Sequence, residues 1–492
     1  MSSLPPEMNT PGVAIPSAER PAPAPASTRL LPWLVAVAFF MESLDTTILN
    51  TAVPAVAEAL HVAPLAMKAV LASYTLALAV FIPISGWMAD RFGTRRVFAS
   101  AIGLFTLGSL LCGLCSNIHL LVACRVVQGM GGAMMVPVGR LTLVRSFAKA
   151  DLLRVMSFVS VPALVAPMLG PVAGGLIVGY AHWRVIFFLN IPIGLLGLVM
   201  VYLHLPDFRE AHVHKLDFVG LVLFGSGIAL LSYVLEVFGE HELSGREMTG
   251  LLAVSGALLA AYWVHVRALE FPLLNLRLFD IRTFRVAVNG SFFTRLGIGG
   301  VPFLLPLLYQ TGLGFTPVQS GMLIVPQAVA AMGMKAILTK LLGKIGYKGV
   351  LVANTVAIGL LLLTLTTIHL HTSVEQIVAI AFFYGACTSL QYTTMNTLVY
   401  ADIEEKDASS ASSIASTMQQ MAISFGVAFA GLTTAFFVPG KAYSDSALMI
   451  EGIHKALLCL GGLTLVSTVV FVGLKRGDGD AVSEHRMMHP DG

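Results

Sequence analysis

Apolar runs of about twenty residues recur along the whole chain, and nothing else constrains its fold so strongly. Each is long enough to cross a hydrocarbon core of about 30 Å as a helix. In that solvent only helices and closed barrels satisfy their own backbone. Fourteen such runs can be read, the first at 31–55 and the last at 453–474. Only 12% of the 492 residues are charged, about half the share usual in a soluble domain. The class implied is an all-α polytopic membrane protein. No connection between runs is long enough for a separate soluble domain, so the activity must sit within the helices.

The basic residues orient the bundle. Twenty-three of the thirty Lys and Arg fall in alternate connections, on the side of both termini, and five fall on the other side. The positive-inside rule then places both ends of the chain in the cytoplasm. Residues 1–29, rich in Pro, Ala and Ser, lack both parts of a signal peptide and are expected to form a disordered cytoplasmic tail. A second tail is expected at 475–492. The net charge of +3 gives no reason to expect a nucleic-acid partner. The five cysteines all lie in apolar runs, which excludes a disulfide framework. Cys112 and Cys115 read as packing residues.

Acids interrupt the first run at "MESLDTTILN", residues 41–50. On a helical wheel Glu42, Asp45, Thr46 and Asn50 cover an arc of roughly 140°. That stripe must face a cavity or a neighbouring helix. An ionised side chain at mid-membrane costs at least about 2.5–3.5 kcal/mol, and two carboxylates one turn apart repel. At least one is therefore expected to take up a proton readily, which suits a proton-coupled carrier. Arg125 and Arg295 are the two cations placed inside spans. Arg295 is expected to face the cavity, or to snorkel or pair locally.

The connection after the second span reads "GWMADRFGTRR". Gly86, Asp90, Arg91, Gly93 and Arg95 give a tight turn with anchoring charges. The connection after the tenth span, "TKLLGKIGYKG", repeats it in degraded form: Gly346 aligns with Gly93, Lys344 with Arg91 and Lys348 with Arg95. The simplest parse is two six-span halves, 30–205 and 271–474, separated by a two-helix insertion at 206–270.

These motifs resemble the major facilitator superfamily. "LVACRVVQGMGGA" (121–133) resembles its intramembrane arginine motif, with Arg125, Gln128 and Gly129 in place. "GPVAGG" (170–175) resembles the core of its antiporter motif, supplied by Gly170, Pro171, Gly174 and Gly175. "LDTTILNTAVP" and "WRVIFFLNIPIG", with fourteen spans, are similar to the fourteen-spanner drug:proton antiporter family of the bacterial multidrug-efflux type. The resemblance implies a major facilitator fold of two six-helix halves plus two extra central helices. It also implies a place in the inner membrane of a bacterium and export of amphipathic, cationic drugs by alternating access.

In that reading Asp45 carries the proton, with Glu42 beside it. Arg125 tunes Asp45 if the fourth span packs on the first. Asp90, Arg91 and Arg95 stabilise a cytoplasmic gate. Asn50, Arg295, Gln391, Asn396 and Gln420 are candidates to line the cavity. The partners implied are the lipid bilayer, a small-molecule substrate and protons, and periplasmic efflux partners stay open. No cofactor is implied, since the proton gradient supplies the drive. No nucleophile–base set, paired metal ligands or phosphate loop is legible, so an enzyme is not expected. Transport of one specific metabolite in the same fold, or a non-transporting receptor or scaffold, stays open.

Overall fold

The computed structural model describes residues 25–147, 149–210, 213–237, 244–404, 407–438, 445–475 and 477–479. The expected tails lie outside the described residues, apart from a few positions at their inner ends. The first helix begins at Pro25, inside the tail expected at 1–29. Proline suits a first turn, and "ASTRLL" contains no helix breaker.

The chain is helical throughout, with no strand among the described residues. In order run α1 (Pro25–Ala59), α2 (Lys68–Phe92), α3 (Thr94–Leu114), α4 (Ile118–Ser146) and α5 (Lys149–Tyr180). Next come α6 (Asn190–His204), α7 (Phe218–Val237), α8 (Gly245–Arg267) and α9 (Arg282–Ile298). α9 bends at Gly299 and Gly300 and continues through Val301–Leu307 into a π turn at Leu308–Gly312. One long helical stretch, Pro317–Leu365, breaks at Gly346. It holds two spans, α10 (Pro317–Leu338) and α11 (Lys340–Leu365). Then come α12 (Val374–Leu398), α13 (Ala408–Phe437) and α14 (Ser446–Val472). Among the described residues twelve of these are long and apolar enough to cross a membrane by length and composition alone; α5, with its apolar stretch Val165–Tyr180, and the more polar α12 run beside them, consistent with fourteen spans.

The internal repeat is written in the backbone. Gly93 and Gly346 both take positive φ, +93° and +74°, a region open chiefly to glycine. Two residues beyond each, a cation reaches the last helix of its own half. Arg95 Nε donates to the carbonyl of Leu205 at 2.5 Å, and Lys348 Nζ donates to that of Val472 at 2.9 Å. A cation at a helix C-terminus satisfies an orphan carbonyl and complements the dipole.

The two halves meet through pairs that the repeat exchanges: α2 packs on α13, and α5 on α10. At the end of the bundle away from the basic connections the halves share one apolar core, running from Ile48–Ala57 and Leu65–Leu71 to Val301–Tyr309 and Met449–Leu460. Toward the basic end each half has its own core. One is built on Leu31–Met41, Val97–Phe105 and Met135–Leu143; the other on Phe284–Val288, Leu390–Val399 and Phe471. The shared core therefore lies at one end, and toward the other the cores are distinct, apart from Ala79 of α2, which packs in the second half's core. Helices α7 and α8 pack together, with Ser255 Oγ donating to the Gly227 carbonyl at 2.7 Å. α7 lies along the α2–α13 seam.

Candidate functional site

Asp45 sits where the shared core gives way to the first half's own core, and it is 1% exposed. Glycines bring its partners close. A side chain at Gly129 would meet the backbone of Tyr74 on α2, and one at Gly131 that of Phe105 on α3. α4 thus approaches both helices at backbone distance, as small residues allow in membranes, and delivers Arg125 and Gln128 to the interior.

Arg125 Nη1 donates to Asp45 Oδ2 at 2.5 Å and to Gln128 Oε1 at 2.8 Å. Gln128 Nε2 donates to Asp45 Oδ1 at 2.8 Å, and Asn190 Nδ2 to the same oxygen at 3.0 Å. Asn190 also donates to Ser109 Oγ at 3.0 Å, which passes its own proton to the Phe187 carbonyl at 2.9 Å. The Arg125 guanidinium lies over the Tyr74 ring, 4.2 Å from its centroid. Five helices contribute to one buried polar network. Every bond at Asp45 is one it accepts, the pattern of a carboxylate held by a charge-assisted pair.

Glu42 is only half-buried and bonds to its neighbour Ser43, with Asp45 and Arg140 the charges nearest to it. The two acids of the polar stripe are thus placed differently. Asp45 is sealed in the network, and Glu42 lies outside it. Asn50 is also half-buried and bonds back to the Thr46 carbonyl at 3.4 Å.

The turn motif pairs its charges with α4 and with the segment that follows α6. Arg145 of α4 bridges Asp90 and Glu210, each at 2.8 Å. The Arg95 amide donates to Asp207 at 3.1 Å. Arg91 is exposed, and a side chain at Gly86 would meet nothing within 4 Å. Of this motif only Gly93 is required by its backbone.

In the antiporter-like motif the glycines face two ways. Gly170 and Gly174 abut Thr47 and Ile48 of α1, directly after Asp45, while Gly175 abuts the Pro317 backbone of α10.

Among the expected cavity residues, Gln391 differs: it is fully buried between helices. Its Nε2 donates to Thr355 at 2.8 Å and its Oε1 accepts from Asn354 at 2.8 Å. A polar side chain on α12 found partners on α11, which periodicity alone does not separate from a cavity lining. Gln420 is half-buried and Asn396 exposed. Arg295 is 3% exposed and lies beside Asn396 and Tyr392.

Sequence reasoning placed Asp45 and Arg125 but assigned no role to Asn190, Ser109 or Tyr74. Asn190 carried a signal, a lone amide opening an otherwise apolar span. Replacing it with Leu removes a donor from the buried carboxylate, a loss of about 1–3 kcal/mol. A lowered thermal midpoint of purified Asn190→Leu in detergent checks this, and an unchanged midpoint would count against the network.

A two-half bundle with a buried Asp–Arg pair between helices of the first half defines the class: an integral membrane transporter, not an enzyme. The chain belongs to the Major Facilitator Superfamily, whose family model matches residues 35–427. It is 39% identical to the provisionally named multidrug resistance protein MdtD of Serratia proteamaculans, over 91% of this chain and 93% of that one. It is 41% identical to the MdtD of Escherichia coli O157:H7, over 86% and 90%. Among solved structures, a bacterial homologue of the lysosomal transporter Spinster, inward-facing and unoccupied, superposes with a TM-score of 0.67 at 13% identity, covering 92% of this chain and 97% of that one. The D-xylose-proton symporter superposes with a TM-score of 0.66 at 14% identity, covering 93% and 100%.

Proposed function

We propose that this secondary transporter exports amphipathic small molecules, cationic drugs among them, in exchange for protons. Asp45 is the proton carrier. The observation that carries this reading is its burial in a network that accepts from Arg125, Gln128 and Asn190 at once. A proton arriving at Asp45 would cancel the charge that holds Arg125, so α1 and α4 could separate. Losing that proton would draw them together again. Only a group whose charge changes during the cycle can couple a proton to a conformational switch.

The basic connections support a cytoplasmic placement for that end of the bundle. The cores of the two halves are largely distinct there, which fits a conformation open toward the cytoplasm. Glu42, half-exposed one turn from Asp45, is the acid placed to meet a substrate cation. The names of the MdtD relatives fit a multidrug substrate range.

The test uses purified protein in vesicles with an acidic lumen. Adding ethidium should release protons from the lumen, and so should structurally unrelated lipophilic cations. Release with one metabolite alone would replace multidrug export with a dedicated carrier, and no release with any solute would remove proton coupling.

A further inference from the structure

The second half buries an arginine that no described carboxylate neutralises. Arg295 lies on α9 at the same level as Asp45, where the shared core ends and the half's own core begins: Ile298 belongs to the one and Val288 to the other. It is 3% exposed. Its Nε donates to Ser291 Oγ at 3.0 Å and its Nη2 to Asn396 Oδ1 at 3.2 Å. Its guanidinium carbon sits 3.9 Å from the Tyr392 ring centroid. All three partners are neutral. The spans offer no alternative, since α9–α14 contain no Asp or Glu except Glu375 in the first turn of α12 and Glu451 in the second turn of α14. In the first half the deep acid, Asp45, is taken by Arg125. The charges nearest Glu42 are Asp45 and Arg140.

A cation at this depth is costly and persists where it has work to do. Arg125 has its counter-charge built in; Arg295 does not. Its Nη1 donates to no described residue, yet it is not among the donors sealed from the surface. Asn396, which holds Nη2, is exposed. Tyr392 is partly buried and packs against both the shared core and the second half's own core, so the cluster lies where those two cores meet. The guanidinium is therefore fixed on one side and reachable on the other.

We propose that Arg295 is an anion subsite of the transport cavity and takes a carboxylate carried by the substrate. The planar fork matches a carboxylate through two parallel N–H donors. The Tyr392 ring beside it gives an apolar flank for an aromatic or alkyl body. The substrate range then includes amphipathic carboxylates and zwitterions as well as cations. This rests on the transporter reading above and adds a substrate class to it.

The test is binding of 1-naphthoate to the purified full-length protein, followed by ligand-induced thermal stabilisation, with neutral 1-naphthamide as the control. Wild type should be stabilised by naphthoate and not by the amide. Arg295→Gln should bind naphthoate at least tenfold more weakly. Asn396→Asp, which keeps the size of the side chain and places a carboxylate on Arg295, should lose naphthoate binding with an unliganded midpoint at or above that of wild type. That second variant serves even if Arg295→Gln fails to fold. Equal binding to wild type and both variants overturns the subsite, as does equal stabilisation by naphthoate and naphthamide. Wild type that exchanges ethidium for protons but is not stabilised by naphthoate overturns the subsite and leaves the transporter reading standing. Naphthoate binding that both variants lose, in a protein that moves no solute, upholds the subsite and overturns the transporter reading.

Discussion

Asp45→Asn is expected to abolish ethidium-driven proton release and to destabilise the protein by about 3–5 kcal/mol, the usual cost of removing one partner of a buried ion pair. Three donors converge on two oxygens at Asp45. An amide offers one oxygen and one NH2 group. Whichever way it turns, an N–H faces Arg125 or faces Gln128 and Asn190. Arg125 is also left charged and buried at 1% exposure. The double variant Asp45→Asn, Arg125→Gln removes that charge. It should recover much of the lost stability and none of the transport. Thermal unfolding in detergent and a pH dye inside vesicles read the two effects separately. Wild-type proton release from Asp45→Asn would eliminate Asp45 as the carrier. A double variant no more stable than Asp45→Asn would show that the buried charge was not the cause of the loss.

The membrane class and the span pattern were legible because the bilayer imposes them residue by residue: length, apolarity and the side on which Lys and Arg fall. Gly93 and Gly346 were legible as repeat partners because a backbone constraint survives when the flanking charges change. The Arg95 and Lys348 alignment held for the same reason, both capping the last helix of their half. The polar stripe on α1 was visible as a stripe, but the wheel could not divide Glu42 from Asp45. That division is set by what packs against each position. α4 and α6 bring Arg125, Gln128 and Asn190 to one acid and leave the other half-exposed. Gln391 shows the same limit in reverse, since a polar residue on a helix satisfied by its neighbour has the same periodicity as one lining a cavity. Asn190 was visible as a lone amide in an apolar run, but not what it bonds. Leu189 keeps helical φ and ψ, −56° and −33°, so it is the packing of α6 on α1 and α3 that brings Asn190 to Asp45 and Ser109.

Gly175→Val and Gly321→Val should each stop transport while leaving the Asp45 network assembled. Gly175 lies against the Pro317 carbonyl, and Gly321 against the Pro171 carbonyl, so the contact between α5 and α10 is a reciprocal pair of glycines on backbone. A Cβ at either would lie 3.0 Å from a carbonyl carbon and nearer still to its oxygen. Backbone cannot turn aside as a side chain can. The added volume must push the halves apart where they are joined, and overpacking of this kind costs about 1–3 kcal/mol. That penalty falls on the conformation described here and not on one in which these surfaces have separated. A carrier that must visit both states at comparable free energy would then be held in one of them. Gly170 and Gly174 of the same helix rest on Thr47 and Ile48, two and three residues beyond Asp45. α5 therefore touches the helix of the proton carrier on one side and the joint between the halves on the other, which makes it a physical route by which protonation could reach the joint. Cysteine accessibility reads the outcome. A cysteine placed at Leu323, 6% exposed in the shared core, should react faster with a membrane-impermeant thiol reagent in the Gly175→Val background than in the native one. Normal transport by Gly175→Val, or unchanged labelling at 323, would mean that the α5–α10 contact is not the closing surface.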